Sequence, residues 1–154
     1  MNKTVKISSE LISLLGAELN AISEFIYGSI MLYETYPSLA CLSDAIASSE
    51  LEHYRLLSHI IRSAGVDPSL KLRIRCGGPE LFCNAQKTYD TFFAYACAKK
   101  ELSERYRRLS ACEELSAVCR STFTKLADDE LSHSEMILSE TDKIKSVMFG
   151  NNKV

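Results

Sequence analysis

The sequence has 154 residues and a net charge of −2, and its 46% hydrophobic and 25% charged composition is typical of one globular domain spanning residues 1–154. The small negative charge and the shortness of the basic stretches at 71–75 and 99–108 argue against nucleic acid as a partner. The most apolar stretch, 21–33, is too short and too polar to cross a bilayer, so no membrane partner is predicted. No apolar core follows the first residues as it would in a signal peptide, and we expect a cytoplasmic protein.

Few residues break the chain, which has only three prolines and six glycines, and this favours long helices. The first predicted helix covers about 8–36 and stops at Pro37, with apolar residues recurring at three- and four-residue spacing. Ser38 is a suitable N-cap for the second helix, which is predicted to run to Ala64 and to end at Gly65.

A long connection, at about 65–85, follows the second predicted helix and contains several turn signals. Its length suits a crossover that runs along a helical bundle better than a turn between neighbouring helices. The third helix is predicted to start near Asn84 or Gln86.

The boundary between the third and fourth helices is weakly marked, because two positions carry N-cap signals. Ser110 begins a sequence that fits a capping box, and Ser116 is a second candidate. The fourth helix is predicted to reach about Val147, and residues 150–154 are expected to be disordered. Short loops within each pair and one long crossover predict an all-α fold of two antiparallel hairpins.

Two Glu-x-x-His motifs carry the strongest chemical signal, one in the second predicted helix and one in the fourth. They are Glu50-x-x-His53 and Glu130-x-x-His133, which lie 80 positions apart. Side chains three positions apart share one helix face, so a carboxylate and an imidazole can reach the same metal site. A single motif of this kind is weak, but a pair on separate helices is the ligand pattern of di-iron carboxylate bundles. Two solvated surface pairs are the alternative, which the adjoining apolar stripes disfavour.

The first predicted helix supplies a carboxylate within its apolar stripe. Glu18 is flanked by Leu14, Leu15 and Ile22, and a glutamate in such a stripe is costly unless it is paired or bound to a cation. Glu24 is the competing candidate, but it lies off this stripe and is expected to be solvated. Glu18 is therefore the predicted ligand from this helix.

The sequence around these residues resembles a known family. The segment Leu15-Gly16-Ala17-Glu18-Leu19-Asn20-Ala21-Ile22, together with the two Glu-x-x-His motifs and Asp129, is similar to bacterioferritins, rubrerythrins and related small ferritin-like proteins. The resemblance covers most of the chain and implies a ferritin-like four-helix bundle. It also implies that Asp129 orients His53, and that the metal ligands are Glu18, Glu50, His53, Glu130 and His133.

The activity that this resemblance implies is that of an iron or manganese oxidoreductase acting on dioxygen, peroxide or ferrous iron. The six cysteines include no Cys-x-x-Cys pair, so the chain lacks a rubredoxin-like iron site. A redox-active centre would therefore need a separate electron-donor protein. A homo-oligomer, namely a dimer, is the expected assembly.

The third helix departs from the family pattern. Related proteins place a glutamate seven residues before a tyrosine, and the residue seven positions before Tyr106 is Lys99. An offset of 81 residues between the two halves of the chain pairs Glu18 with Lys99 and Phe25 with Tyr106, whereas an offset of 80 pairs Glu18 with Ala98. The expected carboxylate is therefore predicted to be a lysine.

The alternative is that this register is shifted and that Glu101 or Glu104 is the ligand. Glu101 would need a local bulge to reach the site. If Lys99 faces the site, its ammonium either pairs with a glutamate where a second metal would bind, or loses its proton on burial and becomes a neutral donor. A centre with one metal, or a degenerate site in a non-catalytic assembly or metal-binding module, is then the rival hypothesis. Tyr106 is predicted to lie near the metals as a hydrogen-bond donor or redox-active side chain, with an ordinary core tyrosine as the alternative.

Overall fold

The structure is a computed structural model that describes residues 3–66 and 78–150. All the regular secondary structure of these residues is helical, without strands. A short 3₁₀ helix at Pro79–Phe82 precedes the third long helix. The four long helices are α1 (Lys3–Leu32), α2 (Pro37–Ser63), α3 (Ala85–Ser110) and α4 (Ala117–Gly150). The prediction of an all-α protein with four helices is confirmed. Most of the predicted crossover and all of the tail after Gly150, which is the last residue of α4, lie outside the described residues.

The helices pack as two hairpins. α1 packs mainly against α2, and α3 packs mainly against α4, while contacts between α2 and α4 join the two hairpins. The connections within the hairpins, at 33–36 and 111–116, are so short that the helices of each pair run antiparallel. Among the described residues, no helix has both the length and the apolar character that crossing a bilayer requires.

The junction between α1 and α2 differs from the prediction. α1 ends at Leu32, and Tyr36 is the N-cap residue of an α2 that begins at Pro37. A proline excludes helical geometry from the residue before it, and Tyr36 accordingly has φ −137° and ψ 69°. Ser38 therefore lies inside the first turn of α2, and its prediction as the N-cap was wrong. Gly65, with a φ of 69°, follows the end of α2 as predicted.

Side-chain caps define the starts of α3 and α4. The Asn84 side chain accepts a hydrogen bond from the Lys87 backbone N–H at 2.9 Å, so Asn84, and not Gln86, marks the start of α3. The Ser116 hydroxyl oxygen accepts from the Cys119 backbone N–H at 3.2 Å. Ser116 therefore caps α4, and the alternative capping box at Ser110 does not form because Ser110 is the last residue of α3.

Two apolar clusters lie at different heights in the bundle, and each receives side chains from all four helices. We call one of them the lower cluster; it contains the buried apolar residues of segments 11–15, 57–61, 102–109 and 123–127. The upper cluster contains those of segments 21–32, 39–47, 92–96 and 137–144. On every helix a gap of a few residues separates the two segments, and the polar residues of the candidate site fall in these gaps.

Candidate metal centre

A polar layer lies between the lower and upper clusters, and every helix contributes to it. Its members are fully or almost fully buried: Glu18 from α1, Glu50 and His53 from α2, Lys99 from α3, and Glu130 and His133 from α4. Each of these residues follows the helical spacing of its neighbouring core residues, which turns it toward the bundle axis. Six ionisable side chains are thus enclosed between two apolar clusters, where isolated charges would be costly.

Four of these residues converge on one point. Glu18, Glu50, His53 and Glu130 each offer a ligand atom, and these atoms lie within 4.8 Å of one another. His53 faces the carboxylates with Nδ1. This nitrogen lies 3.0 Å from Glu130 Oε1, 3.9 Å from Glu18 Oε2 and 3.9 Å from Glu50 Oε2. Three carboxylates and one imidazole nitrogen therefore surround a common position.

His133 stands beside this group and contacts it through Glu50. Its Nδ1 lies 2.9 Å from Glu50 Oε1, and its ring stacks on that of His53 with 5.7 Å between the ring centroids. The two Glu-x-x-His motifs are therefore adjacent in space. His133 contacts Glu50 Oε1, whereas the contacts of His53 and Lys99 with this carboxylate are to Oε2.

Lys99 occupies the remaining side of the layer. Its ammonium forms ion pairs with Glu50 Oε2 and with Glu130 Oε2, the latter at 3.0 Å. Lys99 is only 2% exposed, whereas the two alternative glutamates on the same helix, Glu101 and Glu104, are exposed. Lys99 is thus the α3 residue that meets the carboxylates.

Tyr106 lies next to the polar layer, within the lower cluster. Its hydroxyl donates a hydrogen bond to Glu18 Oε1, and its ring stacks against Phe123 at a centroid distance of 6.1 Å. This contact directs the other carboxylate oxygen of Glu18 toward the group around His53. Tyr106 therefore combines two of the roles that the sequence allowed, core packing and hydrogen bonding beside the site.

The charges of the layer compensate one another in the protein alone. Burial by itself would lower the pKa of Lys99, but Glu50, Glu130 and Glu18 outweigh it and raise that pKa, which favours the ammonium over a neutral donor. Burial opposes ionisation of Glu50, yet Lys99 holds the pKa of Glu50 well below its usual range. Burial, followed by the neighbouring carboxylates, raises the pKa of Glu18 well above its usual range and favours its protonated form. Hydrogen bonding to Glu130 raises the pKa of His53 against the effect of burial.

Five buried side-chain atoms of this layer make no hydrogen bond, although they lie among ionisable groups. Within the described part of the chain, the buried side-chain atoms that make no hydrogen bond are Glu18 Oε2, Glu50 Oε1, His53 Nε2, Glu130 Oε2 and His133 Nδ1. All five lie within 3.9 Å of an ionisable neighbour, but none of these contacts has hydrogen-bonding geometry. A buried polar atom without a hydrogen bond costs about 1–3 kcal/mol, so five in one cluster call for an explanation. The donor set fits a cation that binds oxygen and imidazole ligands.

Asp129, which was predicted to orient His53, lies beside the outer nitrogen of that ring. Asp129 Oδ2 lies 3.5 Å from His53 Nε2, on the side opposite the carboxylates, although Asp129 itself is largely exposed. The distance is too long for a strong hydrogen bond, but the direction suits an acceptor that keeps Nδ1 turned to the site. Glu24, the alternative to Glu18, is half-buried outside the layer.

Two serines next to the site were not predicted. Ser134 donates to the carbonyl oxygen of Ala96 at 2.8 Å, and Ser103 donates to that of Ala127 at 2.7 Å. Both bonds tie α3 to α4 on either side of the polar layer, which fixes the height of Lys99 relative to Glu130. Their signal in the sequence is a small polar residue on an apolar stripe, and many buried serines share it.

No family model, curated protein or solved structure matches the chain. The chemical interpretation of the layer therefore rests on its residues and their geometry.

Proposed function

We propose that this chain is a ferritin-like protein that binds one iron or manganese ion in its core, through Glu18, Glu50, His53 and Glu130. The observation that carries the proposal is the convergence of ligand atoms from these four buried residues within 4.8 Å. The arrangement of two helical hairpins around a carboxylate–histidine layer supports the ferritin-like assignment.

The ligand types favour iron or manganese over softer metals. Carboxylate oxygens dominate the group and one imidazole nitrogen completes it, a set that suits Fe²⁺ and Mn²⁺. Thiolates would indicate zinc or an iron–sulfur cluster, and no cysteine is among the residues of the polar layer.

The position of Lys99 favours one metal ion over two. Its ammonium contacts both Glu50 and Glu130, the carboxylates that would bridge a pair of metals. The ammonium takes the place of a cation on its own side of Glu50 and Glu130, and it would repel a divalent cation about 4 Å away by about 8 kcal/mol at an effective dielectric constant of about 20. His133 then has no anionic partner from α3 with which to hold a second ion.

The proposed chemistry is oxidation–reduction with dioxygen, peroxide or ferrous iron. The bound metal would supply Lewis acidity and one-electron redox change. The chain contributes the rest: Tyr106 orients Glu18, Asp129 faces the outer nitrogen of His53, and Lys99 holds a proton beside the carboxylates. Reduction of a peroxide to water requires two electrons, so one iron ion would need a second electron, which we assign to a separate donor protein.

A second candidate function is a metal-binding or assembly module without turnover. The specific observation in its favour is the compensation of Glu50 and Glu130 by Lys99, because this ion pairing lets the core form without a metal. Oxidation of Fe²⁺ by dioxygen, followed optically with the purified protein in excess iron, separates the two candidates. Repeated turnover supports the oxidoreductase, and binding without turnover supports the module.

The ligand assignment is tested by replacing one histidine and comparing it with a second on the same helix. His53→Ala should lower the affinity for Mn²⁺ by at least about 10- to 100-fold, the loss typical of even an indirect metal contact. His59→Ala, at an exposed position of α2, should bind like the unmodified chain. Equilibrium dialysis against Mn²⁺ measures both affinities, and equal binding by the two variants would refute the assignment.

A further inference from the structure

A groove between α1 and α3 leads from the surface to the polar layer. Its volume is about 250 Å³, and its walls include Ala17 and Asn20 from α1 and Ala98 and Glu101 from α3. α1 and α3 belong to different hairpins, and although Tyr106 and Arg105 of α3 reach side chains of α1, the alanines leave space between the two helices here. The groove is therefore a consequence of how the two hairpins pair.

Lys99 connects this groove to the candidate metal centre. The residue lines the inner part of the groove, where its Nζ lies 5.8 Å from the centroid of the Phe25 ring. The same ammonium contacts Glu50 and Glu130. The long side chain of Lys99 thus borders both the groove and the carboxylates of the centre.

The charges at the groove favour a cation over an anion. Glu24 and Glu101 bring two carboxylates to the lining, and Glu101 is exposed. Arg105 also lines the groove, but its Nε is paired with Glu10 Oε1 at 2.8 Å. Much of the positive charge of Arg105 is therefore already compensated, and carboxylates near a cleft raise the local concentration of cations.

We propose that this groove is the route by which a divalent cation reaches the centre, with Lys99 as its inner gate. The proposal rests on the metal-binding function proposed above. Lys99 has a four-carbon stem, and its ammonium moves toward Glu101 while the cation passes. The ammonium then returns to Glu50 and Glu130, so that the centre holds one ion.

The route is tested by filling the groove without touching the centre. Ala98→Trp, at an exposed position of the groove wall, should slow Co²⁺ uptake at least about tenfold, since a barrier higher by ~1.4 kcal/mol suffices. The final amount of Co²⁺ bound should not change. Ala45→Trp, at an exposed position of α2 outside this groove, is the matched control and should keep the unmodified rate. Stopped-flow absorbance of Co²⁺ follows the uptake.

A second pair of variants tests the charge of the groove. Glu101→Gln should slow uptake about threefold at 0.01 M salt and have almost no effect at 1 M, where the Debye length falls to about 3 Å. Glu104→Gln, exposed on the same helix but outside the groove, should have no effect at either salt concentration. If the unmodified chain binds Co²⁺ and both groove variants load at its rate, the route is wrong. If the unmodified chain binds no Co²⁺, the proposed function itself fails, and the route fails with it.

Discussion

Lys99→Met should lower the free energy of unfolding of the metal-free protein by about 3–5 kcal/mol, the usual cost of removing one partner from a buried ion pair. Methionine keeps much of the length of the side chain but removes the ammonium that contacts Glu50 and Glu130. These two buried carboxylates would then face each other and Glu18 without the ammonium that compensates them. Urea unfolding in the presence of a chelator measures the loss.

Added metal should reverse much of this loss. A cation that binds only the folded chain stabilises it by about 4 kcal/mol at a free concentration of 1,000 times its dissociation constant. Excess Mn²⁺ should therefore raise the stability of Lys99→Met toward that of the metal-free unmodified protein. Lys100→Met, at the exposed neighbouring position, is the control and should change stability little in either condition. Equal stability of the two variants without metal would show that Lys99 does not compensate the carboxylates.

Lys99→Glu should raise the number of Mn²⁺ ions bound per chain from about one to about two, completing the six-ligand pattern of carboxylate bundles. The substitution removes a repelling ammonium and places a carboxylate beside Glu130 and opposite His133. The metal-free variant should be less stable, because it adds a buried negative charge, and Mn²⁺ should stabilise it more than it stabilises the unmodified chain. Dialysis followed by atomic spectroscopy gives the ratio of metal to protein.

The exposed neighbour again provides the control for this substitution. Lys100→Glu makes the same change in net charge outside the polar layer, so it should leave the metal ratio at about one. An unchanged ratio in Lys99→Glu, with the protein folded, would mean that Lys99 does not stand at the second metal position.

The helical fold and the members of the polar layer were accessible from the sequence because both follow helical periodicity. Glu50, His53, Glu130 and His133 continue apolar stripes at three- and four-residue spacing, which turns them inward with the core. The position of Lys99 followed from the offset between the two halves of the chain. The spacing of residues along a helix shows which of them share the buried face, because that face is set by local helix geometry alone.

The details that escaped prediction depend on contacts between helices or on competition between local signals. Ser38 lost the cap position because Pro37 forces the preceding residue out of helical geometry. The charge state of Lys99 depends on three carboxylates from other helices, which outweigh the effect of burial on its pKa. The serine bonds that tie α3 to α4, and the groove beside Lys99, likewise arise only when the helices are packed.

We expect the core to hold one metal ion among Glu18, Glu50, His53 and Glu130, with Lys99 in place of a second ion. The most direct test is the metal-to-protein ratio of the unmodified chain, purified without chelator, saturated with Mn²⁺ and freed of loosely bound ions by gel filtration. Inductively coupled plasma mass spectrometry with amino-acid analysis gives the ratio. One ion per chain, lost in His53→Ala and retained in His59→Ala, is the expected result. No bound ion would contradict the existence of the site, and two ions per chain would contradict the role given to Lys99.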